Sequence, residues 1–577
     1  MTLIEKLNSL IKRYFTLLMV IALLLAAFMR FVKLDAPGLT DHEANIALQA
    51  LSAAKGQDGV IGGQPGYVGL TSLLFSVFES SNFFARFWPA LFGIGLVLVP
   101  GLFRKHLGEL TSLLLAYLIA LEPGLVALSR SADGSMITIA SLLLAIGLFE
   151  NRKMIPAGIF AGLALAGSEN FWPLALALGL AWLLVYLLDG DKKNSLGITS
   201  LKIEKKGWLG FGLAALITVL LVSSQYLLRP SGISGIGSSL TDYFAKWQNK
   251  GELGQGTYLL ILLVTQFPAL ILGIWGLVNG LRDKSPLARF LGLWWVIGLL
   301  LAVITPSHDA IQIAMVNLPL YVLTAMQLSW LLERLSVQSR LVLIAETVVT
   351  ISLLLFSILN FLNMINFPPG DTVTMRNRIL GTFLPLALWI AFTILLAWGW
   401  DSVSSKSGIV IGLGLMFGIL LVGSGWKAAE LGSRPQNELL ANPGYVFGQK
   451  ELFQTVEDIS LWNTGQKNRI DVQLVGLNSP SITWAFRNFE KTKIQEAFPV
   501  SETPSIVVSS VDTVIQTQSL YRGQSVIWIQ QPDLSQATWQ DWVKWFFNRQ
   551  LPQKKSSILL WVRNDLFKDT STQNQTP

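Results

Sequence analysis

The sequence predicts a polytopic α-helical membrane protein of about 13 transmembrane helices, followed by a C-terminal α/β domain on the outer side. Three observations carry this. Hydrophobic residues make up 52% of the 577 and charged residues only 14%, with a mean hydropathy of +0.51. Soluble domains carry about 25% charged residues, so the chain belongs with membrane proteins. The basic residues gather in alternate short loops, and from about Trp426 the long apolar runs stop.

Each crossing needs about 20 apolar residues. Such runs centre near Ala22, Ile94, Leu115, Leu142, Leu163, Leu180, Val219, Leu270, Ile297, Val322, Leu353, Trp389 and Phe417. The first follows Lys12 and Arg13 and lacks a small-residue cleavage site, so it reads as a retained helix. With Lys6, Lys12 and Arg13 inside and the helices alternating, the inner loops hold about 18 basic residues and the outer ones about 10. These include Arg104/Lys105, Arg152/Lys153, Lys192 to Lys206 and Arg282/Lys284/Arg289. The expected location is the plasma membrane, multi-pass, with a cytoplasmic N-terminus. The positive charge of +7 is a topology signal rather than a nucleic-acid surface. The chain has no cysteine, which excludes disulfides, thiolate metal sites and cysteine nucleophiles.

The division expected is a membrane module over 1–425, an outer α/β domain over 426–568 and a polar, disordered tail over 569–577. In the second part Ile470, Val472 and Leu474 alternate as in a strand. Ile506–Val508, Val526–Ile529 and Ile558–Trp561 read as short buried strands, and Trp539, Trp542, Val543 and Phe546 fall at helical spacing.

This topology puts the unusual residues on one side. They are Asp41, His42 and Glu43 in the loop spanning 35–82, Arg130 and Asp133 in SRSADG, Glu169 in GSEN, and His308/Asp309 in TPSHDA. Thr40-Asp41-His42-Glu43 has the form of a capping box ahead of a small amphipathic helix, with Ala44, Ala47, Leu48, Leu51 and Ala54 on one stripe. Asp133-Gly134 has the form of a cap on the next run. Capping and catalysis stay open for both acids at this point. Pro65 to Phe78 is too short to cross and reads as a half-helix at the outer surface. Pro230 to Gly256, Gly/Ser-rich and then aromatic, reads as a lid or a connector.

Asp41, Glu43, Ala44, Ala47 and Gly56 resemble the first outer loop of the GT-C glycosyltransferases, in the branch of the protein O-mannosyltransferases and aminoarabinose transferases (bacterial, glycosyltransferase family 39-like). His42 departs from the pattern by separating two acids that are usually adjacent. Arg86 in ARF and Asp133 in SRSADG match later segments of that branch. The resemblance implies an inverting transfer of a sugar from a polyprenyl phosphate to an acceptor hydroxyl on a glycan, lipid or protein. It assigns Asp41 as the base, Glu43 and Asp133 as orienting acids, and Arg86 and Arg130 as phosphate-holding groups. No cofactor is certain. A divalent metal ion would find oxygen ligands in Asp41, Glu43 and Asp133 and nitrogen ligands in His42 and His308. The alternative is a transporter or flippase for lipid-linked glycans, whose marks are internal repeats and ionisable residues inside spans. The chain shows no repeat, and Glu346 is the one mid-span acid the pattern picks out.

Overall fold

A computed structural model describes residues 3–57, 59–188, 204–251, 253–366, 371–440, 444–498, 502–513 and 519–567. The basic loop from Lys192 onward and the tail over 569–577 fall largely or wholly outside these residues.

The membrane module runs α1 (Leu3–Phe31), α2 (Asp41–Ala54), α3 (Pro65–Val77), α4 (Asn82–Leu96), two single turns α5 (Val99–Leu102) and α6 (Arg104–Leu107), α7 (Glu109–Leu121), α8 (Pro123–Ser129), α9 (Ser135–Glu150) and α10 (Met154–Gly167). It continues with α11 (Phe171–Leu188), α12 (Lys205–Ser223), α13 (Ser234–Gln248), α14 (Gln255–Arg282), α15 (Pro286–Ile304), α16 (Ala310–Val316), α17 (Leu318–Glu333), α18 (Arg340–Asn366), α19 (Thr372–Leu396) and α20 (Ser402–Ala428). Every predicted span centre falls inside one of these helices. By length and hydropathy, eight of the described helices can cross a membrane, or nine if the bent pair α7–α8 is one span. The expectation of about 13 exceeds this because α9, α10 and α17 have only 14 to 16 residues, short of the ~20 a crossing needs.

One of the eight, Thr372–Ala428, folds back on itself. Ser357 and Glu346 of α18 meet Thr382 and Thr393, in antiparallel order. Glu346 and Thr350 meet Gly408 and Gly412, in parallel order. The chain reverses at the π-helical turn Ala397–Asp401.

Packing follows membrane rules, where small residues let helix backbones approach. Gly158 and Gly162 of α10 lie against the carbonyls of Phe211 and Ala215 on α12. Pro123 interrupts the α7–α8 pair, which bends by 57°. That break frees carbonyls in the last turn of α7. The buried Arg30 takes two of them, donating to Ile119 O and Ala120 O at 3.1 Å each. Glu122 caps the start of α8 through Leu125 N. Breaks of this kind are tolerated in membranes only when such groups are re-satisfied.

Past α20 comes a six-stranded sheet with helices. It comprises β1 (Tyr445–Val446), α21 (Gln449–Thr464), β2 (Val472–Val475), α22 (Pro480–Ala485), β3 (Thr492–Gln495), β4 (Ile506–Ser510), β5 (Tyr521–Pro532), α23 (Trp539–Asn548) and β6 (Gln553–Arg563). The order is β1-β5-β6-β4-β2-β3, with β3, β2 and β4 parallel and the rest antiparallel. The runs Ile506–Val508, Val526–Ile529 and Ile558–Trp561 lie in β4, β5 and β6. Trp542 and Trp545 are buried, whereas Trp539 is exposed.

Candidate functional site

Five loops meet at one end of the helix bundle, and each owes its shape to local chemistry. Thr40 caps α2. Its hydroxyl accepts from Glu43 N at 3.4 Å, and Glu43 returns to Thr40 N at 3.0 Å. The capping box therefore fixes Asp41, His42 and Glu43 in direction.

Glu43 is fully engaged. Its Oε1 accepts from Arg86 Nε at 2.9 Å and from Ala132 N at 2.8 Å; its Oε2 accepts from Arg86 Nη2 at 2.8 Å and from Thr40 N. These bonds fill the roughly four lone-pair positions of a carboxylate. Burial pushes the Glu43 carboxyl up, but the Arg86 guanidinium and the two backbone N–H groups outweigh it and hold it below the usual range. Such a carboxylate has no position left for a substrate proton. Arg86 is equally engaged. Besides Glu43 it donates to Leu34 O at 3.3 Å, Pro37 O at 2.9 Å and Gly38 O at 3.1 Å. All five of its N–H donors have acceptors here. Together Glu43 and Arg86 tie the loop over 34–43 to α4 and to the SRSADG loop.

Arg130 is also turned inward. It donates to Met29 O, Arg30 O, Val32 O and Lys33 O at 2.9 to 3.3 Å, closing the C-terminal end of α1. A cation at a helix C-terminus is favourable for the dipole as well as for the open carbonyls.

Asp133 is buried between Ser131 Oγ at 2.9 Å and Ser135 N at 2.7 Å. It holds the first residue of α9 through Ser135 N and lies next to Gly134, which Gln64 engages. Burial, opposed by the charge of His42 and by the serine bonds, leaves its carboxyl above the usual range. His42 is exposed and close enough to influence both Asp133 and Glu169. Gln64 joins them: it accepts from Gly134 N at 2.7 Å and donates to Glu169 at 3.5 Å. Glu169 pairs with Lys246 at 3.2 Å, and Lys246 reaches Asp309 at 3.4 Å. Burial lowers the Lys246 ammonium's pKa, but the two carboxylates raise it well above the ordinary lysine value.

Two of these residues, Gln64 and Lys246, escaped the sequence reading, and Glu169 was placed on the same side but given no role. The signal for Lys246 was its place in DYFAKW, a lone cation among aromatics in an outer segment. That segment is helical rather than coiled: α13 lies over the bundle, and Gly235 allows it to touch Gly62 O and Pro65.

Beside Lys246 lies a cavity of about 50 Å³ between α11 and α15, lined by Leu174, Ala177, Tyr243, Trp294, Leu301 and Met315 together with Asn170 and Lys246. Its walls are mostly apolar and include one cation. Asp41 stands apart from this cavity. Its Oδ1 accepts from Ser479 Oγ at 2.6 Å and Ser481 N at 2.9 Å, both at the start of α22.

The two histidine candidates do not come together as ligands. His308 is buried, with Nδ1 3.1 Å from Ala302 O and its ring stacked on Tyr258. Among the described residues no group of three or more His, Asp or Glu side chains is arranged to hold a metal ion. Glu346 sits far from the site, hydrogen-bonded by Thr350, Thr393 and Ser405.

No family model matches the chain, and no curated protein matches it. Solved structures do. ArnT from Cupriavidus metallidurans bound to undecaprenyl phosphate aligns at a TM-score of 0.51 and 14% identity, over 86% of this chain and 93% of that one. The same protein in the apo state aligns at 0.52 and 14%, over 87% and 93%. At this identity the likeness shows the fold: the chain has the GT-C architecture.

Proposed function

We propose that this protein is an inverting membrane glycosyltransferase that moves a sugar from a polyprenyl-phosphate donor to an acceptor hydroxyl at the outer face of the plasma membrane. The observation that carries it is the apolar cavity with Lys246 in its lining, Lys246 being paired to Glu169 and Glu169 linked through Gln64 to Gly134 beside Asp133, in a fold shared with a protein solved with undecaprenyl phosphate.

The roles follow from the chemistry. A polyprenyl phosphate is a good leaving group, so its departure needs charge stabilisation more than a proton. Lys246 supplies that as a point charge, exchanging the half-exposed Asp309 for the phosphate. The polyprenyl chain lies along the groove between α11 and α15. The acceptor hydroxyl loses its proton to Asp133 as it attacks, with the charge of His42 acting on that carboxyl. Burial raises the proton affinity of Asp133, whereas Glu43 is lowered and its oxygens are already engaged, so Asp133 is the better base of the two. A single displacement inverts the anomeric centre. No step needs a metal ion. The transporter reading loses its main support, because Glu346 is enclosed by hydroxyl donors away from the cavity.

Lys246→Ala is expected to weaken binding of a polyprenyl phosphate by about 10- to 100-fold, since a hydrogen bond to a charged group contributes about 1.5–3 kcal/mol. Equilibrium binding of a labelled short-chain polyprenyl phosphate measures this. Unchanged binding in the variant removes Lys246 from the donor site.

The side of the membrane is testable separately. Single cysteines at Gln57 and Gln466, in this cysteine-free chain, should both react with an impermeant thiol reagent in intact cells. Labelling of neither, or of one alone, contradicts the assignment of this end to the outside.

A further inference from the structure

The first outer loop is joined to the C-terminal domain by contacts that the chemistry above does not use. Asp41 accepts two hydrogen bonds from the first residues of α22. Trp484 of α22 is completely buried, packs with Leu39, Ala44 and Ala47 of the loop and α2, and donates to Asn82 Oδ1 at 2.8 Å. Its ring lies 5.8 Å from that of Phe75 on α3. Arg487 stacks on Trp484 and donates to Ser80 O at 2.7 Å. Gly38 lies directly against Val446 and Gln449, and a side chain there would collide with both. Trp528 of β5 holds Ser481 in turn, donating to its hydroxyl at 2.9 Å. An unbroken chain of contacts thus runs from the sheet through α22 to Asp41, the residue before His42.

We infer that the C-terminal domain is a positioning element of the site, and that Asp41 is its joint: a positioning residue that seats the His42–Glu43 turn through α22, not the base. The inference rests on the proposed function for its catalytic half and on the contacts alone for its structural half. A joint needs a hydrogen-bond acceptor at Asp41 and not a negative charge. Asparagine supplies the acceptor, and alanine does not. A base needs a group that takes a proton, which asparagine cannot be.

The test compares full-length wild-type protein with Asp41→Asn, Asp41→Ala and Ser479→Ala in detergent. Amide hydrogen exchange over residues 36–48 is read without substrate, and turnover is read on matched folded protein. Opening of the joint should speed exchange by about tenfold in Asp41→Ala and to a lesser degree in Ser479→Ala, because local openings report local stability. Asp41→Asn should exchange like the wild type and retain turnover within about threefold, a ratio well below the 10²–10⁴ of a lost base. Wild-type exchange in Asp41→Ala overturns the joint. Turnover abolished in Asp41→Asn with exchange unchanged overturns it too and returns Asp41 to the chemistry. If exchange follows the expectation but no variant, wild type included, turns over any donor, the joint stands and the proposed function fails.

Discussion

Asp133→Asn is expected to lower turnover by about 10²–10⁴-fold, the usual contribution of a positioned general base, with donor binding intact. Asparagine keeps the shape: its Oδ1 still accepts from Ser135 N, and its Nδ2 can donate to the Ser131 hydroxyl in place of the bond that Oδ2 accepts, so the tie to α9 survives. Only the capacity to hold a proton is lost. His42→Gln should fall in the same range, and the double variant should be little worse than either single one, because residues acting as a unit are not additive. Turnover of Asp133→Asn within about threefold of the wild type would make Asp133 a tie to α9 only.

Arg86→Ala is expected to destabilise the fold by about 3–5 kcal/mol, the typical cost of leaving one member of a buried ion pair without its partner. Glu43 is 2% exposed and Arg86 4%, so neither is rescued by solvent. Loss of Arg86 also strands the carbonyls of Leu34, Pro37 and Gly38. Arg86→Lys should recover little, since an ammonium cannot reproduce a fork that bonds both carboxylate oxygens and three carbonyls. The measurement is the midpoint of thermal unfolding in detergent. Donor binding, scaled to the folded fraction, should not change. A variant as stable as the wild type but unable to bind donor would restore Arg86 to the phosphate. Because the native state holds Glu43's carboxyl below its ordinary range, this stabilisation is present above about pH 4.3, the unfolded value, and is lost as pH falls through the lowered native one.

What was legible in the sequence was mostly local. The Thr40–Glu43 box, the start of α2 and the strands Ile506–Val508 and Ile558–Trp561 depend on neighbours within a few residues. So does the placement of the polar loops at one end, which follows from hydropathy. The partner of Glu43 was not legible. It is Arg86, 43 residues away, and a buried arginine and a snorkelling one look alike in sequence. The cavity was not legible either. α11 and α15 are apolar on nearly every side, so no stripe marks which face lines it. Lys246 needed α13 to be recognised as a helix, and the glycines of SGISGIGSS argue against one until Gly235 is seen against Gly62 and Pro65.

The most direct test is turnover. Purified full-length protein is incubated with radiolabelled polyprenyl-phosphate sugars, neutral and amino, and a mixture of hydroxyl acceptors, and release of free polyprenyl phosphate is scored. The wild type should release it from at least one donor, Asp133→Asn should not, and the sugar should appear on the acceptor with its anomeric configuration inverted. Tight binding of polyprenyl phosphate with no release from any donor, or release that Asp133→Asn performs equally well, would contradict the assignment of this site to sugar transfer.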